Sequence, residues 1–405
     1  MSDAVATLAD LVRRPSVNPM GRDVSGPEYL EGRVTEYLVQ RFTAAGLPFA
    51  RQTVSPGRDN IFARLEATLP GAPVMLWDAH QDTVPADGMT IDPFTPVVRD
   101  GRLYGRGACD VKGGMAAMLV ALDRLRTSAA PRHATVLFSA TVNEEFGFSG
   151  AKALARLWAP ASGGAVPGDA PARELVGPRP AAAVVAEPTG LDIVSQHKGA
   201  VRWRVRIHGR ACHSSFPEQG VNAIYPAGRG ILAIEALAGE LFARHAGHPC
   251  GPPTLSLGTV HGGTGVNMVP DLVVLEIDRR VLPGESPAEA RAEVIARIAA
   301  ACGDARVEHE EPFLESHGLS ASDPAAAALA RRLTAAGGEK PRLLAARYGT
   351  NASVYAAAGV PCVVFGPGSI AQAHTADEWI DLAEVDAAAV ALAALVHGPA
   401  MAPSG

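Results

Sequence analysis

Five sites along the chain combine histidine or carboxylate side chains with a position shortly after an apolar stretch, and these are the candidate sites for chemistry. The first is His80-Gln81-Asp82, which ends the predicted strand 74–79. Side chains two residues apart along a strand share one face, so His80 and Asp82 point in the same direction. An imidazole is a good zinc ligand, and a carboxylate beside it can accept its second N–H and fix its tautomer. Taken alone, this pair is equally consistent with a solvent-exposed loop.

Two further carboxylate sites lie in the first half of the chain. Asp110 stands in the glycine-rich segment 105–114, GRGACDVKGG, just before a predicted helix. One carboxylate can bridge two metal ions about 3.5–4 Å apart, although the same position also suits a helix N-cap. Glu144 and Glu145 follow the predicted strand 134–141. A metal ion would relieve the repulsion of this adjacent pair, and the alternative is a solvated acidic turn.

The last two sites follow later apolar stretches. Glu187 lies just past the apolar run 181–185, and His374 follows the predicted strand 360–365 and a glycine-rich loop. For each site alone, a loop residue is the simpler interpretation. All five together are hard to explain as coincidence, because active sites of open α/β sheets lie at the carboxyl ends of strands. Two imidazoles and three carboxylates suit two divalent ions, with one glutamate left as a base, and nitrogen and oxygen donors favour zinc.

Periodicity predicts the elements that position these residues. Strands alternate with helices up to about residue 197, which indicates an α/β sheet, and the alternation resumes after residue 307. Between them, residues 198–307 form a β-α-β-β-α-like block, predicted to be an inserted domain. The predicted domains are therefore 1–197 with 308–405, and 198–307. Residues 159–182 are rich in Pro, Ala and Gly and are predicted to be a surface loop.

Composition excludes several classes of protein. The 405 residues are too many for one ordinary core, and 47% are hydrophobic, which predicts two well-packed domains. A net charge of −6 argues against a nucleic-acid partner. No apolar run reaches the roughly 18 residues of a membrane span. The five cysteines are scattered and the first residues lack a signal-peptide pattern, so we expect no disulfides and a cytoplasmic protein.

The motifs, in this order, resemble the dinuclear zinc aminoacylase and carboxypeptidase family, which includes acetylornithine deacetylase, succinyl-diaminopimelate desuccinylase and aminoacylase. The likeness extends from about residue 11 to residue 384. It is carried by HQD at 80–82, GRGACDVKGG at 105–114, NEE at 143–145, AEPT at 186–189 and AHTADE at 373–378. It implies a catalytic domain with a central mixed sheet flanked by helices, and an inserted α+β, ferredoxin-like domain for dimerisation or as a lid.

The resemblance also implies the metal ligands. His80 and Glu187 would hold one zinc ion, and Glu145 and His374 would hold the other. Asp110 would bridge the two ions. Each subunit would therefore contain two Zn2+, for which Co2+ or Mn2+ could substitute.

Three residues are implied to be catalytic. Asp82 would orient His80, and Glu144 would be the general base toward a zinc-activated water. His213, in the segment GRACHSS, would stabilise the oxyanion, often from the partner subunit of a homodimer formed through the inserted domain. A packed histidine at a helix start is the alternative for His213.

Substrate contacts are implied in both predicted domains. Arg280 could bind a substrate carboxylate with its fork of N–H groups, although an ion pair with Asp278 or Glu276 is the simpler alternative. The segment 262–270, like Arg280, matches a substrate-contacting stretch of the family, and the segment 365–374 is most similar to acetylornithine deacetylase. They and the segment YGTNA supply the other predicted substrate-binding residues, which are Asn267, Gly368, Ser369 and Asn351.

The predicted reaction is hydrolysis of the amide bond of a small N-acyl amino acid, as in acetylornithine deacetylase. Asn351 stands where relatives commonly carry an acidic residue, a change expected to weaken recognition of a cationic side chain. Two enzymatic alternatives therefore stay open: a dipeptidase or carboxypeptidase, and a deformylase or deacylase of a non-amino-acid amine. An inactive metal-binding protein is a third alternative, but it would be expected to have lost Glu144 or a ligand.

Overall fold

A computed structural model of the chain describes residues 3–159, 169–336 and 341–398. The chain divides into two compact units. The first unit is Met1–Ser195 with Ala321–Leu344 and Thr350–Gly405, and the second is Gln196–Ser320 with Ala345–Gly349. All five cysteines are free thiols. In the described ranges no helix has both the length and the apolar character needed to cross a membrane.

The described residues contain eighteen strands and ten α-helices. The strands are β1 (Phe49–Ser55), β2 (Arg58–Leu65), β3 (Val74–His80), β4 (Val97–Arg99), β5 (Arg102–Tyr104), β6 (Thr135–Thr141), β7 (Ala182–Val185), β8 (Ile193–His197), β9 (Gly199–His208), β10 (Cys212–His213), β11 (Thr254–Gly262), β12 (Met268–Val269), β13 (Leu272–Val281), β14 (Arg306–His309), β15 (Leu314–Ser316), β16 (Leu343–Ala346), β17 (Cys362–Phe365) and β18 (Trp379–Asp381). The helices are α1 (Asp3–Val12), α2 (Gly32–Ala45), α3 (Gly113–Thr127), α4 (Ser149–Leu157), α5 (Ala170–Val176), α6 (Ile224–Ala243), α7 (Pro287–Cys302), α8 (Pro324–Ala336), α9 (Ala352–Ala357) and α10 (Leu382–His397).

The largest sheet has eight strands in the order β1-β2-β6-β3-β7-β17-β8-β16. Its centre is parallel: β3 pairs in parallel with β6 and β7, and β17 pairs in parallel with β7. Every residue of these four strands is buried, as expected for parallel strands covered on both faces. Helix α3, apolar on most of its surface, packs between this sheet and α10. The carboxyl ends of four buried strands therefore lie at one edge of the sheet.

The second unit contains an antiparallel sheet in the order β11-β13-β9-β14, and β15 also pairs with β9. The chain order β-α-β-β-α-β with this strand order is the ferredoxin-like arrangement. Buried and half-exposed residues alternate along β9 and β13, and the buried face packs with α6 and α7 around Trp203. The predicted fold class, a mixed catalytic sheet flanked by helices with an additional α+β domain, is confirmed.

One prediction about elements needs correction. Residues 170–176 of the predicted loop 159–182 form helix α5, which packs against β1 and β2, while residues 160–168 lie outside the described residues. The second compact unit continues to Ser320, since β14 and β15 both pair with β9, and the domain boundary at 307 stays a prediction. Strand pairing at this distance leaves no mark in the local hydrophobic pattern.

Candidate metal centre

The five predicted metal ligands lie together in the first unit. They form two groups, His80 with Asp110 and Glu187, and Asp110 with Glu145 and His374, and the ligand atoms of each group lie within 4.8 Å of one another. Asp110 belongs to both groups. Its Oδ1 lies 3.1 Å from Nε2 of His80, and its Oδ2 lies 3.3 Å from Nε2 of His374. One carboxylate oxygen thus faces each histidine, as a bridging ligand of two ions requires.

Strand ends bring these residues to the same place. His80 is the last residue of β3, Glu145 follows β6, Glu187 follows β7, and His374 lies in the loop after β17. These four strands are parallel, so their carboxyl ends share one edge. Asp110 reaches the same edge from the turn before α3. Glycine permits the close approach there, since a Cβ on Gly114 would lie 2.8 Å from the Cβ of Ala186.

Glu378 anchors the turn that carries Asp110. Its carboxylate is buried and accepts main-chain N–H groups from Gly107 at 3.0 Å, Cys109 at 2.9 Å and Asp110 at 3.0 Å. It also pairs with Nη1 of Arg106 at 2.7 Å. Glu378 is the last residue of the motif AHTADE, for which the sequence predicted no role at this position. Its only signal was that position in the motif, because its partners lie about 270 residues earlier in the chain.

Asp82 holds the loop of the two adjacent glutamates. Its carboxylate accepts the main-chain N–H of Glu144 at 3.0 Å and of Glu145 at 3.2 Å, and also Nδ2 of Asn18 at 2.7 Å. The predicted partner, Nδ1 of His80, lies 3.6 Å from this carboxylate and only 2.9 Å from the main-chain oxygen of Asp82. Nδ1–H donation to that oxygen leaves Nε2 of His80 free to bind a metal ion. The main-chain oxygen of Asp82 therefore binds His80, while its side chain binds the loop of Glu144 and Glu145.

The electrostatics of the cluster favour divalent cations. Five carboxylates surround only two imidazoles, and burial, with neighbouring carboxylates adding to it, raises the pKa values of Glu144 and Glu187 well above their usual range. Although burial lowers the pKa of His374, its carboxylate neighbours raise it to about 11. Oε1 of Glu145 is buried, makes no well-formed hydrogen bond and lies 3.4 Å from Nε2 of His374. Two divalent ions would neutralise the excess negative charge and occupy this oxygen, so the donor set fits such a centre.

His213 lies in the second unit and is exposed. It stands in β10, paired with Met268 of β12, and its Nδ1 accepts the main-chain N–H of Ser215 at 3.1 Å. It is therefore not a packed histidine at a helix start. The main-chain oxygen of Asn267 accepts the N–H of Ser214 at 3.0 Å. The segment of the predicted oxyanion residue and the predicted substrate-contacting segment 262–270 are thus neighbours within the second unit.

Arg280 forms an ion pair with Asp278, which was the simpler alternative to substrate binding. Its Nε lies 3.0 Å from Oδ1 of Asp278, two residues away on the same face of β13. Gly368 and Ser369 lie beside the Asp110 turn, where the main-chain oxygen of Ser369 accepts the thiol of Cys109 at 3.3 Å. Gly368 has a φ of 87°, and a Cβ there would lie 2.7 Å from the sulfur of Cys109, so only glycine fits.

Asn351 is buried in the first unit, with 1% of its surface exposed. Its Nδ2 donates to Oδ2 of Asp78 and to Oγ1 of Thr141, both at 3.0 Å. The strand β3 thus supplies a buried carboxylate directly beside residue 351. Burial raises the pKa of this Asp78 carboxyl group, and the expectation that Asn351 weakens recognition of a cationic substrate stays a prediction.

Comparison with known proteins identifies the family. The model of peptidase family M20/M25/M40 matches residues 76–398. The chain belongs to this family. The acetylornithine deacetylase of Erwinia tasmaniensis is 33% identical over 353 residues, which are 84% of each chain. This M20 protein is accordingly a metal-dependent amide hydrolase, and the predicted family is confirmed.

Solved M20 structures share the whole fold. An M20 family metallo-carboxypeptidase of Sulfolobus solfataricus superposes with a TM-score of 0.75 at 15% identity, covering 98% of this chain and 99% of its own. Bacillus subtilis YxeP, a dinuclear metal binding peptidase from the same family, has a TM-score of 0.62 at 17% identity and covers 97% and 96%. At these identities the likeness is one of fold.

Proposed function

We propose that this M20 hydrolase removes the acyl group from a small N-acyl amino acid and uses two zinc ions to do so. The observation that carries the proposal is the Asp110 carboxylate, shared by two ligand groups beside the buried Glu144. The similarity to a deacetylase along 84% of the chain favours an N-acyl amino acid over a peptide.

His80 and Glu187 would hold one ion, Glu145 and His374 the other, and Asp110 both. Nitrogen and oxygen donors without thiolate suit zinc in a catalytic centre, with Co2+ or Mn2+ as substitutes. Bound zinc would lower the pKa of a water molecule and polarise the substrate carbonyl. The side chain of His374 is 49% exposed, which leaves the centre accessible from its side.

Glu144 is the proposed general base. It belongs to neither ligand group, and the bond from its main-chain N–H to Asp82 fixes the start of its side chain. Its carboxylate would take a proton from the attacking water while the new C–O bond forms. It would then give this proton to the amine nitrogen as the C–N bond breaks. Burial raises the pKa of Glu144, which favours holding the proton, and bound cations would lower the pKa again, which favours releasing it.

We also propose a homodimer formed through the second unit. Helix α6 exposes large apolar side chains, with Tyr225 70%, Leu232 64% and Phe242 63% exposed. Strand β11 is an edge strand of the unit's sheet, and Val260 on it is 54% exposed. Edge strands and apolar patches of this kind are typical of surfaces that pair with another chain. Sedimentation of the wild type and of Leu232→Glu should give a dimer and a monomer, and a monomeric wild type would contradict the proposal.

In this dimer, His213 would donate an N–H to the oxyanion in the partner's active site. Co-expression of Glu144→Gln with His213→Ala tests whether His213 acts in the active site of the other subunit. Each variant alone should be nearly inactive. The mixed dimer contains one intact site if His213 acts across subunits, so roughly a quarter of wild-type activity should return. An inactive mixture would place His213 in its own subunit's site, and a fully active His213→Ala would remove it from catalysis.

Substrate class is decided by a panel assay. Chelated protein would be assayed before and after zinc addition with N-acetyl-ornithine, N-acetyl-methionine, a dipeptide and an N-formyl amine. We expect zinc to restore cleavage, with an N-acetyl amino acid cleaved fastest. A faster dipeptide would favour the dipeptidase alternative, and no cleavage with two zinc ions bound would contradict the proposed substrate class.

A further inference from the structure

The loop that carries Glu144 and Glu145 begins at a residue with an unusual backbone. Asn143 has a φ of 61°, in the left-handed region. Asparagine tolerates this region better than most residues, but it does not select it by itself. This conformation sets the direction in which the next two residues leave β6. What stabilises Asn143 therefore decides where both carboxylates point.

A buried ion pair from two other elements contacts Asn143 on both its main chain and its side chain. Glu31, at the start of α2, is fully buried, and Arg58, the first residue of β2, is 12% exposed. Nε of Arg58 lies 3.0 Å from Oε2 of Glu31, and its Nη2 donates to Oε1. Nη1 of Arg58 donates to Oδ1 of Asn143 at 2.8 Å, and the main-chain N–H of Asn143 donates to Oε1 of Glu31 at 3.2 Å. The three residues form a closed ring of hydrogen bonds.

A second connection joins this ring to the metal centre. Nδ2 of Asn18 donates to Oδ1 of Asn143 at 2.9 Å and to Oδ2 of Asp82 at 2.7 Å. Asp82 in turn accepts the main-chain N–H groups of Glu144 and Glu145. The loop is therefore held from both sides, by Asp82 at the two glutamates and by the ion pair at Asn143. Asp82 belongs to the metal-binding motif at 80–82, whereas Glu31 and Arg58 belong to none of these motifs.

We propose that Glu31 and Arg58 are positioning residues, which orient the proposed base Glu144 and the proposed ligand Glu145 by holding Asn143 in its left-handed conformation. The planar guanidinium is essential to this role, because it faces Glu31 with one edge and Asn143 with another. An ammonium group could neutralise Glu31 but could not reach both partners in this geometry. The inference rests on the proposed function where it concerns Glu144, while the effect on Glu145 depends on metal binding alone.

Arg58→Lys is the first test, because it keeps the buried charge pair and removes the hydrogen bond to Asn143. Zinc affinity would be measured by competition with a chelator, which gives one dissociation constant for each ion. We expect one constant to rise on the order of 10–100-fold and the other to change little, because Glu145 serves only one ligand group. In the zinc-loaded enzyme, kcat should fall on the order of 10–100-fold with KM nearly unchanged, the signature of a misplaced base.

Arg41→Lys is the matched control. Arg41 pairs with Asp123 at 2.6 Å in the same unit and is also partly buried, but it contacts no residue of the centre. It should leave both zinc constants and kcat unchanged. If the loss of any buried arginine destabilises the first unit, both zinc dissociation constants should change in both variants. That result would overturn the proposal.

Asn143→Gly gives an independent measurement should Arg58→Lys fold poorly. Glycine adopts the left-handed region without strain but loses the side-chain bonds to Arg58 and Asn18. We expect the same selective rise of one zinc constant. Wild-type zinc binding in both variants would overturn the proposal. Because zinc binding needs no substrate, a wild-type enzyme that cleaves none of the tested amides would refute the proposed function without deciding this inference, which the titration still decides.

Discussion

Replacing Glu144 by glutamine tests the proposed proton transfer with almost no change of shape. Glu144 is 7% exposed, and Asp82 binds its main-chain N–H rather than its side chain, so the substitution leaves that bond intact. Glutamine is neutral, so it also avoids the desolvation that raises the pKa of Glu144. The fold should therefore be at least as stable as in the wild type when both are measured without metal.

The loss of turnover can be estimated from the role of the group. A positioned general base contributes about 10²–10⁴-fold to a rate, which corresponds to roughly 3–5 kcal/mol of activation free energy. Both ligand groups remain complete, because Glu144 belongs to neither. We therefore expect Glu144→Gln to bind two zinc ions and to lose turnover on the order of 10³-fold.

The assay compares kcat, zinc content and the free energy of unfolding in the wild type, Glu144→Gln and Glu145→Gln. The last variant makes the same chemical change one residue later, in a ligand group, and should lose affinity for one ion. Glu144→Gln with two ions bound and more than about a tenth of wild-type turnover would refute the base assignment.

Three further predictions concern stability and metal affinity. Burial holds the pKa values of Glu144 and Glu187 above the usual 4.5, so the metal-free protein should lose stability as the pH rises above that value. Urea unfolding at several pH values, with and without zinc, checks this. The same pH dependence of the unfolding free energy in both cases would contradict it. Burial lowers the pKa of His197 from 6.5 to about 4, so the folded state binds fewer protons than the unfolded state between these values and stability falls as the pH falls. His197→Gln should remove up to about 3 kcal/mol of that acid dependence, measured by urea unfolding from pH 7 to 4, and an identical slope would show that His197 is not responsible. Glu378→Gln should weaken zinc binding on the order of 10–100-fold in chelator competition, since it disturbs the turn of Asp110, and an unchanged constant would remove Glu378 from that role.

Most of the secondary structure could be predicted because its cause is local. The helix α3 follows from the period of its apolar residues. The buried strands β3 and β6 follow from apolar runs, and their bounds agree with the predicted ones to within one residue. Helix α5 was missed because Pro, Gly and Ala around it indicate a loop. Its apolar side chains Ala172 and Val176 are buried in the first unit, and packing outweighs the local preference there.

The membership of the metal centre could also be predicted, because chemistry and strand ends coincide. His80, Glu145 and Glu187 each follow a buried strand, and parallel strands deliver their ends to one edge. Asp110 in its glycine-rich turn and His374 in the loop after β17 were predicted as members of the same set of five sites. The sequence alone therefore determined which side chains meet, and that nitrogen and oxygen donors would surround the centre.

Only the tertiary structure decided what holds these side chains in place. Glu378 binds the Asp110 turn from about 270 residues away, and Arg58 binds Asn143 across 85 residues. The partner of Asn351 proved to be the buried Asp78, which no motif includes. A ligand can be recognised from its type and its place at a strand end. Its supporting hydrogen bonds join residues remote in the chain, and such pairs exist only once packing has brought their backbones together.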